Sequence, residues 1–185
     1  MANYRVNEIE WNALMGASGN CSHYSIVFQH LQSDNRAICE KAYSQLENHA
    51  VVQGTLYESA PYVCDILVGF LQFNKVFHCK FELYDFLTEA VFGDSLGEDC
   101  SSYLNADLPI KTACILAIRN GVDAYVADLL HKELLVRIGA ADLLLATPYA
   151  LTGRNDLIEK VKSINSSNAD NKRLLRTLNE LLASY

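Results

Sequence analysis

The sequence predicts an all-α fold, a single domain of stacked helix pairs curved into an αα-superhelix. Three observations carry that expectation. Apolar residues recur at three- and four-residue spacing along almost the whole chain, and sustained strand-like alternation is absent. Helix breakers are scarce, with 3 prolines and 9 glycines in 185 residues, which suits helices. The helical segments are short and joined mostly by short turns, so the chain forms either a closed bundle or a stack of antiparallel pairs. The segments 22–49, 55–92, 109–146 and 151–183 each read as helix, turn, helix. That spacing favours pairs.

The elements follow in order. A first short helix is expected over Val6 to Met15, with Ile9, Trp11 and Leu14 inward, ended by Gly16-Ala17-Ser18-Gly19-Asn20. Ser22 to Gln32 carries Ile26, Val27, His30 and Leu31 at helical spacing. Asp34 offers a cap for a helix running to about His49 on Ile38, Ala42, Tyr43 and Leu46. Thr55 to Glu58 has the capping-box pattern, and the helix it would open runs to about Phe73. Pro61 lies one turn inside that helix, so a kink or restart is expected there. Val76 to Phe92 is a strongly apolar helix, and 93–108 an acidic, Gly-containing insertion within the domain 1–185. Asp107 and Pro109 provide a cap and a pre-set first turn for a helix ending at Asn120-Gly121. Asp123 to His131, Lys132 to Ala146, Leu151 to Ile164 and Asn168 to Ala183 complete the set, the last opened by Ser167 and Asp170.

Composition narrows the function. No apolar stretch reaches the ~20 residues a membrane span needs. Met1 to Glu10 lacks a basic-then-apolar export pattern. A cytoplasmic location is therefore expected. The 6 cysteines are irregularly spaced, with no CxxC pair. In a reducing compartment they read as buried thiols rather than as three disulfides. His78 and Glu82 share a helix face, but Cys79 points elsewhere and no second pair has ligand spacing, so no metal is expected. Nucleophile elbows, phosphate loops and dinucleotide turns are also missing, which predicts a protein without catalytic residues or cofactor. Cys21 and His23 are the nearest Cys–His pair in sequence.

Charge is the most informative quantity. The chain has 22 acidic and 15 basic residues, net −7. Residues 81 to 110 hold seven of the acids (Glu82, Asp85, Glu89, Asp94, Glu98, Asp99 and Asp107) and no Lys or Arg. Outside that window acids and bases balance at 15 each. At 100° per residue, Glu82, Asp85 and Glu89 fall within about 60° of one another, with His78 on the same arc. Val76, Leu83, Leu87 and Ala90 face the core. The stripe reads either as a docking surface for a basic partner or as a solvated helix face. A polyanion would be repelled, so nucleic acid is not expected as a partner. Lys172, Arg173 and Arg176 form only a short basic face, read as solvated. The aromatics from Phe70 to Phe86 are expected in the core, whereas Tyr84 and Tyr103 are interface candidates beside the acids.

Two stretches resemble known proteins. Lys132 to Leu144 is similar to the second helix of a HEAT repeat, in which an arginine (here Arg137) precedes paired small residues (Ala140, Ala141) and a leucine (Leu144). The resemblance implies that the small residues let neighbouring helices approach and that Arg137 bonds groups at the turn between repeats. Arg36, Cys39, Ala42 and Leu46, followed by Gln53-Gly54-Thr55-Leu56-Tyr57-Glu58-Ser59-Ala60-Pro61-Tyr62-Val63, resemble a group of bacterial HEAT-like proteins. Trp11 and the Gly16/Gly19 linker fit the same pattern, whereas 93–108 and the last forty residues do not. Such proteins are binding scaffolds, and some small ones are immunity proteins that neutralise a toxin delivered by neighbouring cells. The expectation is therefore an immunity protein that binds a basic toxin, with a nuclease as one candidate. The acidic residues named above and Tyr103 would form its contact face. The alternatives are a general intracellular HEAT-repeat adaptor and a helical-repeat enzyme such as a DNA-repair glycosylase. The latter would need a basic concave surface.

Overall fold

The structure, a computed structural model, describes residues 6–76, 78–96, 100–103, 107–167 and 171–185. It is predominantly helical. Nine α-helices lie among these residues: α1 Tyr24–Leu31, α2 Arg36–Ala50, α3 Ala60–Gln72, α4 Lys80–Phe92, α5 Ile110–Arg119, α6 Val122–Asp128, α7 Leu134–Ala146, α8 Asn155–Ser167 and α9 Lys172–Ala183. None of the helices searched is long and apolar enough to cross a membrane.

The first predicted helix is absent. Val6 to Met15 forms only a 3-10 turn at Trp11–Ala13, pinned where the Trp11 indole donates to the Val6 carbonyl at 2.7 Å. The chain then enters a two-residue hairpin, β1 Met15–Gly16 with β2 Gly19–Asn20. A second hairpin, β3 Val51–Val52 with β4 Thr55–Leu56, replaces the expected capping box. Gln53 and Gly54 both have positive φ, 50° and 77°, the backbone a tight two-residue hairpin needs. Thr55 is thus a strand residue and not a helix cap. The helix begins later, at Ala60, which puts Pro61 in its first turn, where no N–H is required. Hence Pro61 opens α3 instead of kinking it.

The insertion contributes β5 Asp94–Ser95, which adds in parallel to β4, and β6 Cys100–Ser101, which pairs with β7 Leu108–Pro109. Three hairpins accordingly stand ahead of α1, α3 and α5. The caps also shift. Asn35, not Asp34, caps α2 by accepting from the Ala37 and Ile38 amides at 3.0 and 3.4 Å. Asn171 caps α9 through the Leu174 amide at 3.0 Å. Pro109 precedes α5 without any side-chain cap, so Asp107 does not serve as one.

Consecutive helices pack as neighbours: α1 on α2, α3 on α4, α6 on α7 and α8 on α9. Across these pairs α3 meets α5, while α2, α4, α7 and α9 follow one another in a row. One continuous apolar core runs through them all. Close approach of α4 and α7 depends on Gly139, where a Cβ would come within 2.8 Å of the Tyr84 Cβ. Ala140 and Ala141 beside it are fully buried. At the same contact Lys80 is buried and pairs with Asp128 of α6 at 2.8 Å. Tyr84 donates to Oδ2 of that carboxylate at 2.6 Å, and Lys80 also donates to Asn74 at 2.9 Å. Every charge in this cluster has a partner, which is the condition for burying it.

Candidate functional site

Alternate sides of α4 divide cleanly. Leu83, Leu87 and Ala90 are fully buried, and Val76 just ahead of the helix is buried as well. Asp85 and Glu89 are exposed and Glu82 is half-buried, so the predicted stripe lies on the outer side of the helix. His78 is exposed but precedes the helix, because α4 starts only at Lys80. Asp94 is exposed in β5, where its backbone N–H donates to the Gly54 carbonyl at 2.8 Å. Asp107 is exposed immediately before β7. Glu98 and Asp99 lie outside the described residues.

The tyrosines expected at the interface are core residues. Tyr103 is 3% exposed and stacks edge-on against Tyr62 with ring centroids 5.5 Å apart. Its ring is buried against Tyr62, so it offers little contact area to a partner. Tyr84 is fully buried and committed to Asp128.

What the linear charge count missed is the second wall of the acidic face. α2 packs beside α4. On α2, Glu40, Tyr43 and Glu47 recur at three- and four-residue spacing and therefore share a face. Glu47 is half-buried and Glu40 exposed. Burial raises the Glu89 carboxyl above its ordinary range, and the negative charges of Asp85 and Glu47 raise it further. The two helices thus bring their carboxylates close enough to repel. Among the described residues Glu47, Glu82, Asp85 and Glu89 take part in no ion pair, whereas Glu40 is held by Arg36 at 2.6 Å.

Between the stripes lies Tyr43, only 8% exposed, its hydroxyl buried and without a hydrogen-bond partner. Burial pushes that hydroxyl's pKa up, and Glu47, Asp85, Glu89 and Glu82 push it further, in that order. A spacing argument over α2 could have found this wall. A window restricted to 81–110 could not.

Other reactive groups are locked away. Cys21 lies 3.9 Å from His49 Nδ1, and the Tyr24 hydroxyl is 2.9 Å from the same nitrogen and 3.4 Å from Ser59 Oγ. Cys21, Tyr24 and Ser59 are fully buried, and burial raises the Cys21 thiol while lowering His49. The histidine that Cys21 contacts at this distance comes from α2. A thiol that resists ionisation beneath a closed surface is poorly suited to attack a substrate. Cys39, Cys64, Cys79 and Cys114 are likewise buried free thiols. Among the described residues no group of three His, Cys, Asp or Glu side chains could hold a metal ion. Arg173 is not merely solvated, since it pairs with Asp142 at 2.7 Å.

No family model, curated protein or solved structure matches the chain.

Proposed function

We propose that the chain is a non-catalytic protein-binding module, a cytoplasmic immunity protein that neutralises a basic toxin through the acidic face of α4 and α2. One observation supports this most strongly: Glu47, Glu82, Asp85 and Glu89 share a surface on two packed helices without ion-pair partners among the described residues. Uncompensated like charges cost stability, and a partner carrying positive charge recovers that cost on binding. A nuclease whose active site is built for phosphates is one such partner, because spaced carboxylates resemble the phosphates it binds. Exposed Asp94 and Asp107 would extend the same face. The row of α2, α4, α7 and α9 beside α3 and α5 is read as a HEAT-like stack, rigid enough to hold the carboxylates in place.

The test is protection. Cells producing a basic toxin domain encoded beside this gene should survive when the chain is co-produced. The Glu82→Lys/Asp85→Lys/Glu89→Lys variant should fail to protect while folding normally. Full protection by that variant would count against the acidic face. Absence of protection by the unaltered chain, together with a stable complex with a housekeeping assembly, would favour an adaptor.

A further inference from the structure

We propose that the groove between the last turns of α4 and α7 seats a large apolar side chain of the basic partner, one flanked by lysine or arginine. The inference rests on the reading that α4 docks a basic protein, and it names the contact that anchors that protein once charge has steered it in.

The groove has a volume of 400 Å³ and is lined by Thr88 and Phe92 of α4 and by Asp142, Leu145 and Ala146 of α7. Phe92 is 71% exposed and Leu145 37%, so two large apolar side chains meet water there. The polar side chains of the lining are already bonded. Thr88 donates to the Tyr84 carbonyl at 2.8 Å, and the Asp142 carboxylate accepts from Arg173 at 2.7 Å and from Thr177 at 3.1 Å. What the groove lacks is an apolar cover, and the charge around it selects which cover fits. Phe92 follows Glu89 by three residues and Asp85 by seven, so it continues the exposed acidic stripe of α4. Neither carboxylate has an ion-pair partner among the described residues. Both helices also end here, and helix C-termini carry partial negative charge. No basic residue in either last turn offsets it. An acidic apolar segment is repelled by this field, whereas a basic one is drawn to it. The groove between α1 and α2, where Ile26 and Ile38 are also exposed, has His30 and Lys41 in its lining and lacks this match. In protein contacts an apolar anchor commonly sits inside a charged rim, the anchor supplying affinity and the rim the rate of approach.

The experiment titrates two synthetic peptides, acetyl-Lys-Lys-Trp-Lys-Lys-amide and acetyl-Lys-Lys-Ser-Lys-Lys-amide, into the full chain at low salt. The tryptophan peptide should bind about fivefold tighter or more, because its indole is buried in the groove. That advantage should vanish in Phe92→Ser and, separately, in Leu145→Ser. It should persist in Ile26→Ser, which removes another exposed apolar side chain elsewhere. Asp85→Asn/Glu89→Gln should weaken both peptides alike and leave their ratio unchanged. In the unaltered chain, nuclear Overhauser contacts from the peptide indole should reach the Phe92 ring and the Leu145 methyl groups, a readout that does not depend on how the variants fold. Equal binding of the two peptides, indole contacts to other residues only, or an advantage that survives both groove variants would overturn the seat. Peptide discrimination in a chain that neutralises no basic toxin would leave the groove standing and sink the docking reading. Neutralisation lost in Glu82→Lys/Asp85→Lys/Glu89→Lys but undiminished in Phe92→Ser and Leu145→Ser would do the reverse.

Discussion

Tyr84 on α4 and Tyr43 on α2 are both buried tyrosines, and both feel the charge of nearby carboxylates. Their surroundings differ in one respect. The Tyr84 hydroxyl donates to Asp128, and Lys80 neutralises that carboxylate from within the chain. The Tyr43 hydroxyl has no partner, and the carboxylates acting on it, Glu47, Asp85, Glu89 and Glu82, have no lysine or arginine bonded to them among the described residues. The first cluster is closed and holds helices together. The second has no cation bonded to it within the described residues, and under the proposed function a partner supplies one. Proximity of acids and tyrosines therefore says little about function until the charge balance of each cluster is worked out.

The closed cluster should be the more fragile. Asp128→Ala leaves the Lys80 ammonium buried without its counter-charge, which should cost about 3–5 kcal/mol in urea unfolding. A loss below ~1 kcal/mol would mean that water replaces the pair, on the scale of exposed ion pairs. Close packing beside it gives the next effect. Gly139→Ala drives a methyl group into the Tyr84 Cβ and should cost about 1–3 kcal/mol, as overpacking does.

Removing each hydroxyl should then act with opposite signs. Tyr84→Phe breaks a buried bond to a charged group and should destabilise by about 1.5–3 kcal/mol, whereas Tyr43→Phe deletes an unsatisfied hydroxyl and should be neutral or stabilising by about 1 kcal/mol. Equal losses in both variants would erase the distinction between the clusters.

The smallest effect is in pH. Burial, Asp85 and Glu47 raise the Glu89 carboxyl above its ordinary value of 4.5, so the fold favours its protonated form. Its contribution is complete below that value and is lost as pH rises through the raised one. Glu89→Gln should therefore be more stable than the unaltered chain at neutral pH, with the difference closing as pH falls towards 4.5. Comparing the two proteins cancels the opposite trend from His49, whose pKa burial and His23 lower. A difference that stays constant with pH would show that Glu89 feels no repulsion.

Much of the helical order was legible because it rests on apolar spacing. α4 and α7 end where expected, although α4 starts a turn late, and Leu83, Leu87, Ala140, Ala141 and Leu144 are all buried. The three hairpins were not legible, since two-residue strands leave no alternation to detect. Only the glycines after Ala17-Ser18 and Gln53 hinted at them. Ile26 and Ile38, expected inside, are 58% and 40% exposed, on helices α1 and α2 that pack mainly on each other. For the site, charge counting found α4 but could not find α2, which approaches it only in space. Residue type misled at Tyr103, where an amphipathic side chain went to the core.

The most direct test of the proposed acidic docking face is the association rate with a basic toxin domain that the chain is found to neutralise, followed by stopped flow across a range of salt. The unaltered chain should associate fast at low salt and slow steeply as salt screens the attraction, while Glu82→Lys/Asp85→Lys/Glu89→Lys should associate at least about tenfold more slowly, with a flat salt dependence. Matching rates and matching salt slopes for the two proteins would contradict the account.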